Sequence, residues 1–187
     1  MVLFHGTNCK VKKPELERSR HDIDFGAGFY LTERYELAAK WACRKNLSVV
    51  NQYKIEINSL KIHTFGLDKT WLDFVVGNRN MDPIPGYDKY DVLIGPIADD
   101  KLYSIIEMYE SDFISAENAI KIMDCMHYGN QVVLKSQASI DNVVFMGCKE
   151  LQNLEKQEYI EKYKKDKQEA TKRTEEMLKR INRGEEI

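Results

Sequence analysis

The chain has 187 residues, with 28 basic and 30 acidic side chains and a net charge of −2. Its hydrophobic fraction of 43% is ordinary for a globular protein, and the balanced charge gives no reason to expect nucleic acid as an obligatory partner. No apolar run is long enough to span a membrane, and Met1 leads directly into the first predicted strand without room for a signal peptide. We therefore expect one cytoplasmic domain with an appendage, no membrane contact, four reduced cysteines and no metal site.

A short apolar strand at the start of the chain leads into His5, Gly6 and Thr7. The segment 8–23 that follows is polar and charged, which predicts a loop or short helix covering the site formed by the strand end. Arg20 lies in this segment, and its guanidinium group is suited to a diphosphate. A solvated surface arginine is the alternative interpretation.

The stretch 24–42, DFGAGFYLTERYELAAKWA, combines a tight turn, a short strand and a helix. The turn contains Gly26 and Gly28, which permit positive φ and close approach of a ligand to the backbone. Tyr30 lies in the strand and Trp41 on the helix, so the two aromatic rings could hold a flat ring between them. The alternative is that both rings belong to the core.

The elements that follow are predicted from alternation and from capping residues. Segments 49–57 and 60–65 alternate apolar and polar side chains, and their short separation predicts a β-hairpin. Helix N-caps of the side-chain type are predicted at Asp68, at Asp99 or Asp100, and at Ser115. Further strands are predicted at 90–95, 130–133 and 142–146.

From Lys149 onward the composition becomes strongly charged, and one long, weakly amphipathic helix is predicted. Its apolar side chains recur at steps of three and four residues with interruptions: Ile160, Tyr163, Ala170, Met177 and Ile181. The broken stripe disfavours a self-sufficient coiled coil. It predicts either a helix packed thinly on the body or an arm that binds a partner or a second copy.

Five short motifs occur in an order that resembles the ADP-ribosyltransferase superfamily. They are Leu-Phe-His-Gly-Thr at 3–7, Asp-Phe-Gly-Ala-Gly-Phe-Tyr-Leu-Thr at 24–32, Ala-Ala-Lys-Trp-Ala at 38–42, Tyr-Asp-Val-Leu-Ile-Gly-Pro-Ile-Ala-Asp-Asp at 90–100, and Asn-Gln-Val-Val at 130–133. The resemblance is to the branch of diphtheria-type toxins and poly(ADP-ribose) polymerases, which has a His-Tyr-Glu triad. It is closer still to small bacterial ADP-ribosyltransferase-like domains formerly of unknown function, and it covers the chain to about Gly147.

The resemblance implies an α+β fold, a split β-sandwich with flanking helices and a long C-terminal helix. The catalytic domain would occupy residues 1–148, and residues 149–187 would form a charged helical extension. NAD is implied as the substrate. In that site His5 binds a ribose hydroxyl, the Gly6 backbone binds the carboxamide, and Tyr30 stacks on nicotinamide. The remaining NAD-binding residues implied are Thr7, Gly28, Phe29, Trp41 and Arg20, of which Thr7 either orients His5 or caps the strand end.

The third triad position departs from the family pattern, because Gln131 stands where the acid is expected. Glutamine keeps the hydrogen-bonding capacity of a carboxylate but carries no charge. The resemblance therefore implies mono-ADP-ribosylation rather than chain elongation, with His5, Tyr30 and Gln131 as the catalytic residues. Gly129 stands two residues earlier, so the Glu-x-Glu arrangement of arginine-modifying toxins is absent and no motif names the acceptor.

The function implied is transfer of ADP-ribose from NAD to a protein or nucleic acid. Compact bacterial members of this kind resemble intracellular toxins of toxin–antitoxin or phage-defence systems, so an antitoxin or other protein partner is expected at the C-terminal helix. Three alternatives remain open: an NAD glycohydrolase, a non-catalytic nucleotide-binding module, and an interaction protein that acts through its tail.

Overall fold

The computed structural model describes residues 1–43, 47–98, 103–125 and 129–185. Within these ranges the chain is a mixed α+β protein with two sheets and six α-helices. The strands are β1 Val2–Thr7, β2 Phe29–Leu31, β3 Val49–Ile55, β4 Ile62–Thr64, β5 Val92–Pro96, β6 Asn130–Leu134 and β7 Val143–Glu150. The helices are α1 Tyr35–Ala42, α2 Lys69–Arg79, α3 Tyr103–Glu110, α4 Ala116–Asp124, α5 Gln137–Asp141 and α6 Asn153–Asn182.

Within the described ranges, one isolated pair of residues joins the two sheets by backbone hydrogen bonds. The first sheet has the antiparallel order β1-β3-β7, and the second has the order β2-β6-β5-β4, in which β4 and β5 run parallel. Phe4 on β1 and Thr32 beside β2 exchange two backbone hydrogen bonds of 2.8 and 3.0 Å. Because this bridge is isolated, the pairing of β1 with β2 does not continue to Gly6 and Tyr30. We call the place where the two strands separate the opening between the sheets.

The hairpin predicted over 49–57 and 60–65 is wrong. β3 is the central strand of the first sheet and pairs with β1 on one edge and with β7 on the other. It therefore has no free edge for β4, which pairs instead with β5 in the second sheet. Residues 56–61 carry the chain from one sheet to the other rather than forming a tight turn.

Three apolar clusters cover the sheets. One lies between the two sheets and contains Leu3, Phe29, Leu31, Tyr53, Val132 and Leu134. A second packs α2, α3 and α4 against the opposite face of the second sheet, with members such as Trp71, Phe74, Leu93, Ile106, Ile122 and Val133. The third packs the alanines of α1 against β3 and contains Ala38, Ala39, Ala42 and Val50. The second sheet is thus covered on both faces.

The capping predictions are confirmed where the structure describes them. The Asp68 carboxylate accepts a hydrogen bond from Trp71 N–H at 2.9 Å, and the Ser115 hydroxyl accepts one from Asn118 N–H at 3.2 Å. Asp99 and Asp100 lie outside the described residues. The short helix α5 was not predicted, since five residues carry too little periodicity, although Ser136 and Ser139 form a capping box at its start.

The long C-terminal helix is confirmed as α6, and several of its apolar side chains pack on the body. Ile160 contacts the α1 cluster, Met177 and Ile181 contact the α2–α4 cluster, and Ala170 is buried. Lys40 on α1 forms an ion pair with Asp166 on α6. None of the described helices, α6 included, combines the length and the apolar character needed to cross a bilayer.

Candidate functional site

His5 bridges the opening between β1 and β2. Its Nδ1 lies 2.7 Å from the main-chain oxygen of Tyr30. A carbonyl only accepts hydrogen bonds, so Nδ1 carries the proton and Nε2 is left as an acceptor. The imidazole packs on the Phe29 ring, with a centroid separation of 4.4 Å. Burial lowers the pKa of His5, against the opposing effect of the Tyr30 hydrogen bond, so the ring is neutral at pH 7.

Gly6 lies directly beneath α1. A Cβ atom at this position would stand 1.8 Å from the carbonyl oxygen of Ala38, so only glycine allows the helix to cross the strand here. Backbone groups alternate in direction along a strand, and those of Phe4 point to the β2 side. The N–H and C=O of Gly6 therefore also point there, opposite Tyr30, into the opening between the sheets. Such an orientation suits backbone recognition of an amide.

Tyr30 is tied to the turn that precedes it. Its hydroxyl donates to the Gly26 carbonyl at 2.7 Å and accepts from the Phe25 N–H at 2.9 Å. Burial raises the pKa of Tyr30 well above its ordinary value, so the phenol stays protonated. Gly26 adopts a positive φ of +64°, which its sequence position allowed. Gly28 does not adopt a positive φ and is required for a different reason. A Cβ at Gly28 would lie 2.5 Å from the Val133 side chain, so this glycine permits close packing against β6.

Tyr30 points to the side of the sheets on which α1, the helix that carries Trp41, is packed. Paired residues on neighbouring strands point to one face, and Phe4 packs its ring on Tyr35 of α1 at 5.5 Å. Thr32 therefore shares the α1 face, and so does Tyr30, two residues away. Trp41 is half-buried on α1. Phe29 points to the opposite face, so the His5 ring reaches Tyr30 from the other side of β2.

Gln131 is the second residue of β6 and lies on the same face as Tyr30, because Val133, two residues along, is the register partner of Tyr30. Gln131 is buried, and its Nε2 lies 3.4 Å from Asp24 Oδ2 and 3.3 Å from the Pro96 carbonyl oxygen. The sequence motifs did not single out Asp24 as a functional side chain. Its carboxylate nevertheless links Gln131 to the turn that carries Tyr30.

Asp24 forms an ion pair with Arg79 at the end of α2. Oδ1 of Asp24 accepts from Arg79 Nη2 at 2.6 Å and from Nε at 2.9 Å, and both side chains are 15% exposed. Arg79 Nη2 also donates to the Ala98 carbonyl at 2.7 Å. Burial raises the pKa of Asp24, while the Arg79 charge and the Gln131 amide oppose that rise. The sequence offered one signal, the position of Asp24 at the head of its glycine turn, and none for Arg79.

Two predicted NAD-binding residues have hydrogen-bond partners outside this group, although the charge of Arg20 still acts on Tyr30. Arg20 is on the surface, in a 3.0 Å ion pair with Asp22, and both side chains are more than half exposed. Thr7 donates its hydroxyl to the Asn8 side chain at 3.3 Å. His5 is thus oriented by the Tyr30 carbonyl rather than by Thr7.

The side chain of Lys135 binds the turn that contains Gly26 and Gly28. Its Nζ donates to the carbonyl of Phe25 at 2.5 Å and also to that of Ala27. Burial lowers the pKa of Lys135 to about 8. Lys135 also lines a cavity of about 420 Å³, whose walls include the aromatic and proline side chains of Phe25, Phe74, Pro83, Pro85 and Tyr87.

The side chains that commonly bind metals are dispersed in the part of the chain that the structure describes. There, no three His, Cys, Asp or Glu side chains lie close enough together to hold an ion. All four cysteines are free thiols, and Cys43 is the buried one.

A family model described as "Protein of unknown function (DUF3990)" matches residues 1–145. No curated protein and no solved structure matches the chain. The matched span includes β1 to β6, the first residues of β7 and every predicted site residue, while α6 lies beyond it. Because the match covers most of the 187 residues, the chain belongs to the DUF3990 family.

Proposed function

We propose that this protein is an NAD-dependent mono-ADP-ribosyltransferase that modifies a protein or nucleic acid. The observation that supports it most is the arrangement where β1 and β2 separate. There a neutral His5 is tied to Tyr30, and the Gly6 backbone groups face the same opening. Tyr30 and Gln131 share one face beside it, and α1, which carries Trp41, packs on the same side. These are the residue types that the resemblance to ADP-ribosyltransferases assigns to NAD.

In the proposed reaction the bond between nicotinamide and the ribose C1′ breaks, and its electron pair goes to the ring nitrogen of nicotinamide. The sugar becomes oxocarbenium-like, and a nucleophile of the acceptor bonds to C1′ and loses its proton. Gly6, Tyr30 and Trp41 would hold the leaving ring in place. Nε2 of His5 would accept a hydrogen bond from a ribose hydroxyl, and Gln131 would bind the ribose that becomes cationic.

A neutral amide at position 131 is compatible with transfer of one ADP-ribose unit. By resemblance, we propose that the protein acts in the bacterial cytoplasm as a toxin of a toxin–antitoxin or phage-defence system. An antitoxin or other partner would then bind the charged outer face of α6, since Ile160, Met177 and Ile181 of that helix pack on the body.

The test is to mix the protein with NAD labelled in the adenylate part and follow both nicotinamide release and label retention. A whole-cell lysate supplies the acceptor, and parallel protease and nuclease treatments identify its class. Transfer predicts nicotinamide release together with label that one of the two treatments removes. Release with no retained label would identify a glycohydrolase, and binding with no release would identify a nucleotide-binding module.

His5→Ala is the matched inactive variant, and His63→Ala is its control. His63 lies on β4 among Phe65, Tyr87 and Tyr90, away from the opening between the sheets. We expect His5→Ala to lose most nicotinamide release and to relieve any growth arrest on expression, while His63→Ala keeps both. Equal activity of folded His5→Ala and wild type would contradict the proposal.

A further inference from the structure

The orientation of the Gln131 amide is determined by its neighbours. The two groups beside Nε2 are the Asp24 carboxylate at 3.4 Å and the Pro96 carbonyl at 3.3 Å. Both are acceptors, so the amide must present its NH₂ group to them. A flipped amide would instead place Oε1 against two other oxygens. The Oε1 atom of Gln131 is therefore directed away from Asp24 and is available as an acceptor.

Asp24 is itself held firmly in this position. One carboxylate oxygen binds Arg79 through two nitrogens, and the other faces Gln131. The main-chain oxygen of Asp24 accepts a hydrogen bond from Asn78 Nδ2 at 3.3 Å. Each oxygen of Asp24 thus has its own donor, and the Arg79 charge balances the buried carboxylate.

We propose that Asp24 is the positioning residue that lets Gln131 act in place of the missing triad acid. Asp24 fixes the amide so that Oε1 faces the reacting ribose, and its negative charge polarises the amide toward that oxygen. In the usual triad one carboxylate supplies both the negative charge and the hydrogen-bond acceptor. Here Asp24 supplies the charge and Gln131 supplies the acceptor. This inference rests on the proposed transferase function and adds a residue to its site.

The chemistry of the asparagine variant makes the inference testable. In Asp24→Asn the side-chain oxygen can still accept from Arg79, but the new NH₂ group would face the NH₂ group of Gln131. Two donors in contact are unfavourable, whereas the Pro96 carbonyl still binds the NH₂ group of Gln131. The Gln131 amide would therefore no longer be held in one orientation, and Oε1 would face the ribose only part of the time. We expect the single-turnover rate of nicotinamide release to fall about 10- to 100-fold, the scale of a misplaced reacting group, with the KM for NAD changed only about threefold or less.

Exchanging the two side chains should reverse part of the loss. In the double variant Asp24→Asn/Gln131→Glu, the introduced asparagine would donate through its NH₂ group to the introduced carboxylate, while its oxygen still accepts from Arg79. The network has the same total charge as in the wild type. Gln131→Glu alone would instead place two carboxylates in contact and should be less stable than the wild type. Because one oxygen of the introduced carboxylate would face the Pro96 carbonyl, we expect the double variant to release nicotinamide faster than Asp24→Asn but more slowly than the wild type.

The experiment compares single-turnover nicotinamide release by the wild type, the two single variants and the double variant, with Asp141→Asn as a matched control. Asp141 is exposed at the end of α5, where its carboxylate accepts a hydrogen bond from Gln137. Thermal melting verifies folding, and the side-chain amide NMR signals of Gln131 report its orientation without any turnover. Those signals should move in Asp24→Asn and stay unchanged in Asp141→Asn.

Three results would overturn the inference. The first is wild-type release by Asp24→Asn, and the second is a folded double variant no faster than Asp24→Asn. The third is an unchanged Gln131 amide signal in Asp24→Asn. A wild type that binds NAD but releases no nicotinamide would overturn the proposed function instead, and it is recognised before any variant is measured.

Discussion

The imidazole Nδ1–H of His5 donates a hydrogen bond to the main-chain carbonyl of Tyr30, across the opening between the two sheets. If β1 and β2 had stayed paired beyond the Phe4–Thr32 bridge, Gly6 would stand opposite Tyr30 and backbone groups would have met there. A side chain replaces that backbone contact. It joins the sheets where they separate, and it leaves Nε2 as an acceptor.

This hydrogen bond predicts how NAD affinity depends on pH. The pKa of His5 lies below its ordinary value, so the ring is neutral at and above pH 7 and charges only in acid. Protonation converts Nε2 from an acceptor to a donor. NAD affinity should therefore be constant from about pH 8 to pH 7. It should decrease as the pH is lowered below about 6.5, the ordinary pKa of an imidazole. Calorimetric titration of the wild type and His5→Gln tests this, since the glutamine variant should show no such fall.

The Tyr30 and Trp41 rings are best tested by different substitutions. Tyr30→Phe keeps the ring but leaves the buried Phe25 N–H without its partner, which should cost about 1–3 kcal/mol of unfolding free energy. Its NAD affinity should stay near that of the wild type. Trp41→Ala removes a stacking ring and should weaken NAD binding by roughly tenfold or less. Denaturant unfolding and NAD titration of both variants separate the roles, and unchanged affinity of Trp41→Ala would contradict the clamp.

Gly6→Ala should disrupt the contact between β1 and α1. The new methyl group would stand 1.8 Å from Ala38 O and 2.8 Å from Ala42 N, both backbone atoms that cannot rotate away. Overpacking of this kind costs about 1–3 kcal/mol or more, so we expect a lower melting temperature. Gly66→Ala is the control, because its nearest neighbour would be a side-chain oxygen of Asp68 at 3.4 Å. Equal melting of the two variants would show that α1 shifts at little cost.

Lys135 should make stability depend on alkaline pH. Its pKa is about 8 in the folded protein and 10.5 ordinarily, so between these values the unfolded chain binds the extra proton. The unfolding free energy should therefore rise with pH in that window, by at most about 1.4 kcal/mol per unit relative to Lys135→Met. Below pH 8 the difference should be constant. Lys54→Met, at an exposed lysine paired with Glu56, should parallel the wild type at every pH.

The packing of α6 predicts that substitution of the small residue Ala170 lowers the stability of the protein. Ala170 is 5% exposed on the face that meets the body, whereas Leu154 near the start of the helix is 78% exposed. Ala170→Glu would bury a charge without a designed partner and should cost about 1–3 kcal/mol, a fall of several degrees in melting temperature. Leu154→Glu should leave melting nearly unchanged. The opposite order would mean that α6 does not pack on the body in solution.

Local patterns predicted much of the fold, and the errors came from distant contacts. Asp68 and Ser115 were identified as caps because a cap needs only a few neighbouring residues. β3 pairs with β1 and β7, which are distant in sequence, and the alternation of side chains within β3 carries no information about them. The predicted hairpin was therefore wrong.

The site shows the same limit. His5, Tyr30 and Gln131 could be singled out by their motifs, and the contact between His5 and Tyr30 followed from the structure alone. Asp24 meets Arg79 across 55 residues and Gln131 across 107 residues of sequence. No pattern within a motif indicates such partners, because they are brought together only when α2 packs on the sheet that contains β6.

The contact of Gly6 with Ala38 means that His5 and Gly6 carry different information when relatives of this chain are compared. A descendant that lost every affinity for a ligand would still need glycine at position 6, since any side chain there would push α1 off the strand. The histidine has no comparable steric obligation, because its ring occupies the opening rather than the helix contact. Among diverging copies of the gene, replacement of His5 beside a retained Gly6 would therefore mark those that kept the architecture without the NAD chemistry proposed for it.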